Sequence, residues 1–143
     1  MLSVIATSGR RQLLDRTLAS IDRATRPGQY QGVIVIENGR QDGVEEIVAQ
    51  WNQRYPVQYL YHSHANKSAA LNRVLSHVGE ALLYFHDDDI TLHPDALTAI
   101  AAAAAHAETP SFFGGPVTAD YEKIPPQWLA HYLPPSARGW PSA

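Results

Sequence analysis

Apolar residues gather along this chain in two alternating patterns. Residues 2–6, 32–36, 57–61 and 81–85 are short, nearly unbroken apolar runs rich in β-branched and aromatic side chains, the composition of strands. Between them, Leu13, Leu14, Leu18 and Ile21 recur at helical spacing, as do Val44, Ile47, Val48, Trp51 and Tyr55, and again Leu71, Val74, Leu75 and Val78. Gly79 is a natural helix stop. An alanine-rich helix follows Pro94-Asp95, where proline suits a first helical turn and aspartate its dipole. Ser111 to Phe113 reads as a fifth strand, closed by Gly114-Gly115-Pro116.

Strand and helix thus alternate four times, which predicts an α/β domain. Its form is three layers, α/β/α, around a mostly parallel sheet, Rossmann-like in outline. The run Ala81-Leu82-Leu83-Tyr84-Phe85 has no polar alternation, so the expectation is a strand covered on both faces. It drives straight into Asp87-Asp88-Asp89. In open α/β sheets ligands bind at the carboxyl ends of the strands, so these acids are the leading candidate chemistry. If strand geometry persisted, Asp87 and Asp89 would share one face and Asp88 would take the other. At roughly 6 Å and an effective dielectric near 20, each adjacent like-charge pair costs about 3 kcal/mol, so the cluster invites a cation. A solvated acidic turn is the bland alternative. Magnesium or manganese on Asp87 or Asp89 suits these hard oxygen donors. His62, His64, His86 and His93 flank the same region; without a His-x-x-x-His spacing or a cysteine, they read as ordinary polar groups rather than zinc ligands.

Composition narrows the partners. With 11 Lys+Arg against 14 Asp+Glu and a net charge of −3, no basic run offers a nucleic-acid footprint. The absence of cysteine removes disulfides, a thiol nucleophile and Cys-ligated zinc. No run approaches 18 apolar residues, and the first residues lack a signal-peptide core, so the expectation is a cytoplasmic chain that is soluble or peripheral to a membrane. Neither a GxGxxG nor a GxxxxGK[ST] motif is present, so phosphate would have to be held by other means. Trp51 and Tyr55 read as core. Trp128, beside Pro125-Pro126, fits equally an acceptor site or the cover of a sheet edge. From Asp120 to Ala143 the chain is rich in proline and loses periodicity. The expected division is residues 1–119 as the domain and 120–143 as a Pro-rich tail or an incomplete continuation.

Several segments, in order, resemble the nucleotide-binding half of family 2 glycosyltransferases, whose fold is called GT-A. The likeness covers roughly Leu2 to Gly115. Ala6-Thr7-Ser8-Gly9-Arg10 is similar to the family's Pro-Thr-Tyr-Asn-Arg-like turn. Glu37-Asn38-Gly39-Arg40-Gln41-Asp42-Gly43 resembles its Asp-Asn-Gly-Ser-x-Asp-Gly-like loop, and Asn66-Lys67-Ser68-Ala69-Ala70-Leu71-Asn72 its third segment. Asp87-Asp88-Asp89 stands as the DXD motif, followed by His93-Pro94-Asp95-Ala96-Leu97.

The resemblance implies a glycosyltransferase that binds a nucleoside-diphosphate sugar through Mg2+ or Mn2+, with uridine the favoured nucleoside. Thr7, Ser8 and Arg10 would wrap base and ribose, with Glu37 and Asn38 at the nucleobase and Asp88 or Asp87 at the ribose. Asp89, with Asp87, would hold the metal, and Lys67 would reach a phosphate. The acceptor, a sugar, lipid or protein, is unspecified. Glu37 is one methylene longer than the usual aspartate, and Leu71 stands where an arginine often serves. The family's second half, which supplies a catalytic base, is missing; Asp120 is the candidate base, and an oligomer or partner chain would complete the acceptor site. Two other classes remain: a non-catalytic nucleotide-sugar-binding or assembly module, and a metal-dependent phosphohydrolase.

Overall fold

The computed structural model describes residues 1–121 and 123–133. They divide into two compact units, Met1–Ser111 and a second beginning at Phe112. The first is built from β1 (Leu2–Thr7), α1 (Arg11–Arg23), β2 (Gly32–Asn38), α2 (Val44–Trp51), β3 (Val57–His62), α3 (Lys67–Leu75), β4 (Leu83–His86) and α4 (Ala96–Ala105). The four strands form one parallel sheet in the order β3-β2-β1-β4. Leu2 pairs with Gly32 and Leu83, and Val33 with Val57, so all four strands point the same way and end at one edge.

Each sheet face has its own core. Ile5, Val33, Val35 and Val57 meet Leu14, Leu18 and Ile21 of α1, Val44, Ile47 and Val48 of α2, and Leu97 and Ala101 of α4. On the opposite face Leu2, Val4, Ala6, Ile34 and Ile36 meet Ala70 and Val74 of α3. This is the expected three-layer α/β/α arrangement. β1 and β2 are buried at every residue because each has a strand on either side and helices on both faces, the environment that selects unbroken apolar runs. Tyr55 lies in the core, where its hydroxyl donates to the Leu18 carbonyl at 3.0 Å, and Trp51 packs against that core.

Three expectations are corrected. β4 is an edge strand rather than a covered one: it pairs with β1 alone, Ala81 and Leu82 fall outside it, and Phe85 is 45% exposed. An apolar run records the hydrophobicity of a segment and not its place in the strand order, and α3 lies across β1, β2 and β3. Ser111 to Phe113 forms no strand; it sits in irregular backbone between Pro110 and Gly114-Gly115, with Phe112 fully exposed. The fourth helix begins at Ala96, two residues after Pro94, whose carbonyl instead accepts the Thr25 amide at 2.8 Å. In the second unit a short helix, α5 (Gln127–Ala130), is the regular element among the described residues, and Ile124, Trp128 and Tyr132 are exposed. Among the described residues no helix is long and apolar enough to cross a membrane.

Candidate functional site

Because the strands are parallel, their carboxyl ends deliver four connecting loops to one edge of the sheet. β1 opens into Ser8-Gly9-Arg10, β2 into the loop from Gly39 to Gly43, β3 into Ser63–Asn66, and β4 into Asp87-Asp88-Asp89. Thr7 is in register with Glu37, and the buried Asn38 donates from Nδ2 to the Thr7 carbonyl at 2.8 Å, fastening the ends of β1 and β2 together. Gly9 has φ +87°, and a Cβ there would stand 2.8 Å from the Asp42 carboxylate. Only glycine allows that turn and that loop to approach so closely. Gly39 likewise packs against Ala65 of the β3–α3 connection.

The three acids do not continue the strand. β4 ends at His86 and the chain turns at Asp88-Asp89, so the alternation expected of the acids is lost. Asp88 is fully buried and accepts hydrogen bonds from the Thr7 hydroxyl and from both Nε and Nη2 of Arg10. Asp89, 40% exposed, accepts Arg10 Nη1 at 2.8 Å, while the exposed Asp87 pairs with Lys67 at the start of α3. The cations Arg10 and Lys67 therefore relieve the repulsion anticipated among three carboxylates, and a third, Arg16, reaches the Asp89 carbonyl at 3.4 Å. Burial works against the Arg10 charge, but the hydrogen bonds and charges of Asp88 and Asp89 together hold its pKa above the ordinary value.

The acid turn is also braced from beneath. On α1, Thr17 Oγ1 donates to the Ile90 carbonyl at 2.8 Å, and Ser20 Oγ accepts the Leu92 amide at 3.0 Å. Sequence reasoning passed over both, although two hydroxyls three residues apart within the buried stripe of Leu14, Leu18 and Ile21 are a legible sign of polar work. His86 is half-buried, but both of its ring nitrogens are shielded from solvent and neither is hydrogen-bonded among the described residues; this burial, opposed by Asp87, pushes its pKa down to about 4. It is neutral at pH 7.

A second network fixes the β2 loop. Glu37 is fully buried, its Oε1 accepting the Asp42 amide at 2.8 Å and its Oε2 the Tyr59 hydroxyl at 2.6 Å. Tyr61 donates to the Gly39 carbonyl at 2.6 Å, and Gln41 approaches the Tyr59 hydroxyl at 3.5 Å. Burial, with the Glu37 charge beside it, pushes the Tyr59 pKa up to about 12 against the hydrogen bond from Gln41, so the phenol remains the donor. Tyr59 and Tyr61 were missed in the sequence; their two-residue spacing at the end of β3 was the available signal.

No group of three or more His, Cys, Asp or Glu arranged to hold a metal occurs among the described residues. The donor set nevertheless fits a hard divalent cation held partly by a ligand's phosphates. Asp87 and Asp89 are exposed, on either side of the buried Asp88, and each has one oxygen without a hydrogen bond among the described residues. The rings of His62 and His64 are tilted by 46° to one another, their centroids 5.7 Å apart. Ser8 is exposed beside the Thr7 and Arg10 contacts. Asp120 is exposed in the second unit, and Glu122 lies outside the described residues.

The family model for glycosyl transferase family 2 matches residues 3–140. Among solved structures, the mannosyltransferase PcManGT from Pyrobaculum calidifontis, in complex with GDP-Man and Mn2+, has a TM-score of 0.62 at 22% identity, over 76% of this chain and 32% of that one. S. aureus TarS 1-349 has a TM-score of 0.63 at 16% identity, over 71% of this chain and 31% of that one. TarS 1-349 in complex with UDP-GlcNAc has the same score and identity, over 71% and 30%. The chain spans about a third of the length of these structures, and at such identities the likeness is one of fold. No curated protein gives a significant match.

Proposed function

Since this chain belongs to glycosyl transferase family 2, we propose that the carboxyl edge of its sheet binds a nucleoside-diphosphate sugar, with Mg2+ or Mn2+, for transfer of the sugar to an acceptor. The observation that supports this reading most is the convergence of the Thr7–Arg10 turn, the Glu37–Gly43 loop, Lys67 and Asp87–Asp89 on one edge, with exposed carboxylate oxygens beside side-chain cations. Thr7, Ser8 and Arg10, with Asn38 opposite, form the walls for base and ribose, and Glu37 lies buried behind the β2 loop. Asp87 faces the ribose, and Asp88, buried under Arg10, holds that arginine in place. Lys67 offers its ammonium to a phosphate. Asp89, with Asp87, would hold the metal, which when bound supplies Lewis-acid stabilisation of the leaving diphosphate.

Uridine is the favoured nucleoside, with guanosine the next; neighbours of the same fold were solved with UDP-GlcNAc and GDP-Man. Residues 1–119 are assigned to donor binding and 120–143 to a Pro-rich tail or part of an acceptor region, with Asp120 as candidate base. Transfer needs that base within hydrogen-bond reach of the acceptor hydroxyl. An oligomer or a partner chain would complete that site. Thermal denaturation tests the reading. A ligand at a hundred times its Kd stabilises by about 2.7 kcal/mol, a Tm rise of roughly 10 °C for a domain of this size. UDP or GDP with Mn2+ is expected to produce it; no shift with any nucleoside diphosphate contradicts the proposal.

A further inference from the structure

We propose, resting on the donor-site reading above, that Glu37 and Tyr59 act as one positioning unit that sets the wall of the nucleoside pocket, and that Glu37 makes no contact with the base. The resemblance to the family places the acid at the end of β2 against the nucleobase. In this chain that acid is fully buried, and each of its oxygens is engaged within the protein: Oε1 by the Asp42 amide at 2.8 Å, Oε2 by the Tyr59 hydroxyl at 2.6 Å. The additional methylene of glutamate makes this engagement reachable. An aspartate would withdraw the carboxylate by up to about 1.5 Å, one carbon–carbon bond, and stretch the contact with Tyr59 beyond hydrogen-bond range.

What the pair controls is a distance. The Asp42 amide anchored by Glu37 belongs to the residue whose carboxylate lies against Gly9, so the same clamp sets the spacing between the β2 loop and the Thr7–Arg10 turn. Tyr61, on the Gly39 carbonyl, holds the other end of the loop. A nucleoside seated across the joined turn and loop would register any slackening of this clamp, whereas a diphosphate seated at Lys67 and the acids would not.

The test titrates UMP and GMP calorimetrically, and separately pyrophosphate with Mn2+, into the full chain and into Tyr59→Phe, Glu37→Asp, the double variant and Glu37→Gln. Tyr59→Phe and Glu37→Asp are each expected to lose about tenfold in nucleotide affinity, the worth of one hydrogen bond. The double variant should lose no more than the weaker single, because the two residues act as one unit. Pyrophosphate affinity should remain within about twofold throughout, which general loosening of the fold would not allow. Glu37→Gln keeps the length and the acceptor for Asp42 and is expected to bind nucleotide nearly as the native chain does. It also decides the matter if Tyr59→Phe does not fold. Nucleotide affinity unchanged in Tyr59→Phe, retained or improved in Glu37→Asp, or lost in Glu37→Gln overturns the inference. A native chain that binds pyrophosphate but neither nucleotide removes the donor-site reading and this inference with it.

Discussion

Replacing Arg10 with methionine should expose how the acid cluster is held. Asp88 is fully buried, and its carboxylate rests on three donors, one from Thr7 and two from Arg10. Arg10→Met preserves most of the apolar stem and removes two of the three, leaving a buried charge on a single hydroxyl. Taking one partner from a buried ion pair costs about 3–5 kcal/mol. The Arg10 side chain is 47% exposed, so water reaches the vacated position, and about 2–3 kcal/mol is expected. Lys67→Met provides the contrast: both partners of the Lys67–Asp87 pair are more than half exposed, so its removal should cost under about 1 kcal/mol. Urea denaturation followed by circular dichroism reads both. Asp88→Asn added to Arg10→Met should recover part of the loss, since it removes the stranded charge and can still accept from Thr7. Equal losses for Arg10→Met and Lys67→Met, or strict additivity in the Arg10→Met/Asp88→Asn pair, would refute the idea that Arg10 compensates a buried charge.

Two further substitutions, with Gly28→Ala as a control, probe other parts of the edge. His86 titrates near 4 in the folded chain and near 6.5 when unfolded, so between these values the unfolded state holds the extra proton. Stability is therefore complete above pH 6.5 and falls as pH drops towards 4, by about 3 kcal/mol in all. Urea midpoints at pH 7 and 4.5 should show this loss in the native chain and a shallower one in His86→Phe; identical slopes would exclude His86 as the source. Gly9→Ala combines a left-handed conformation with a Cβ 2.8 Å from Asp42, and about 2 kcal/mol of destabilisation is expected. Gly28→Ala, which meets nothing within 4 Å, should stay within about 0.5 kcal/mol of the native chain in the same measurement.

Local pattern and tertiary arrangement were unequally legible. The runs at Leu2, Val33 and Val57 became strands, and the stripe of Leu14, Leu18 and Ile21 became the buried face of α1, because periodicity is set by the same burial that the fold imposes. The arrival of Asp87–Asp89 at the carboxyl edge was legible too, since a strand that ends in acids must deposit them where it ends. The edge position of β4 was not, because hydrophobicity says nothing of which strand lies alongside. Nor was the failure of Ser111–Phe113 to pair, as strand composition has no force without a neighbour. The cations of the cluster escaped for a related reason: Arg10 and Asp88 are 78 residues apart and meet only because β1 and β4 are adjacent. Glu37 and Tyr59 are joined across β2 and β3 in the same way.

The most direct test of the donor-site claim is calorimetric titration of a panel of UDP-, GDP- and dTDP-sugars into this chain, with and without Mn2+, beside Asp89→Ala. Saturable binding of at least one nucleotide sugar is expected, strengthened by Mn2+ in the native chain and not in Asp89→Ala. Metal-independent binding that Asp89→Ala leaves unaltered would contradict the assigned role of the acids, and no binding across the panel would contradict the account as a whole.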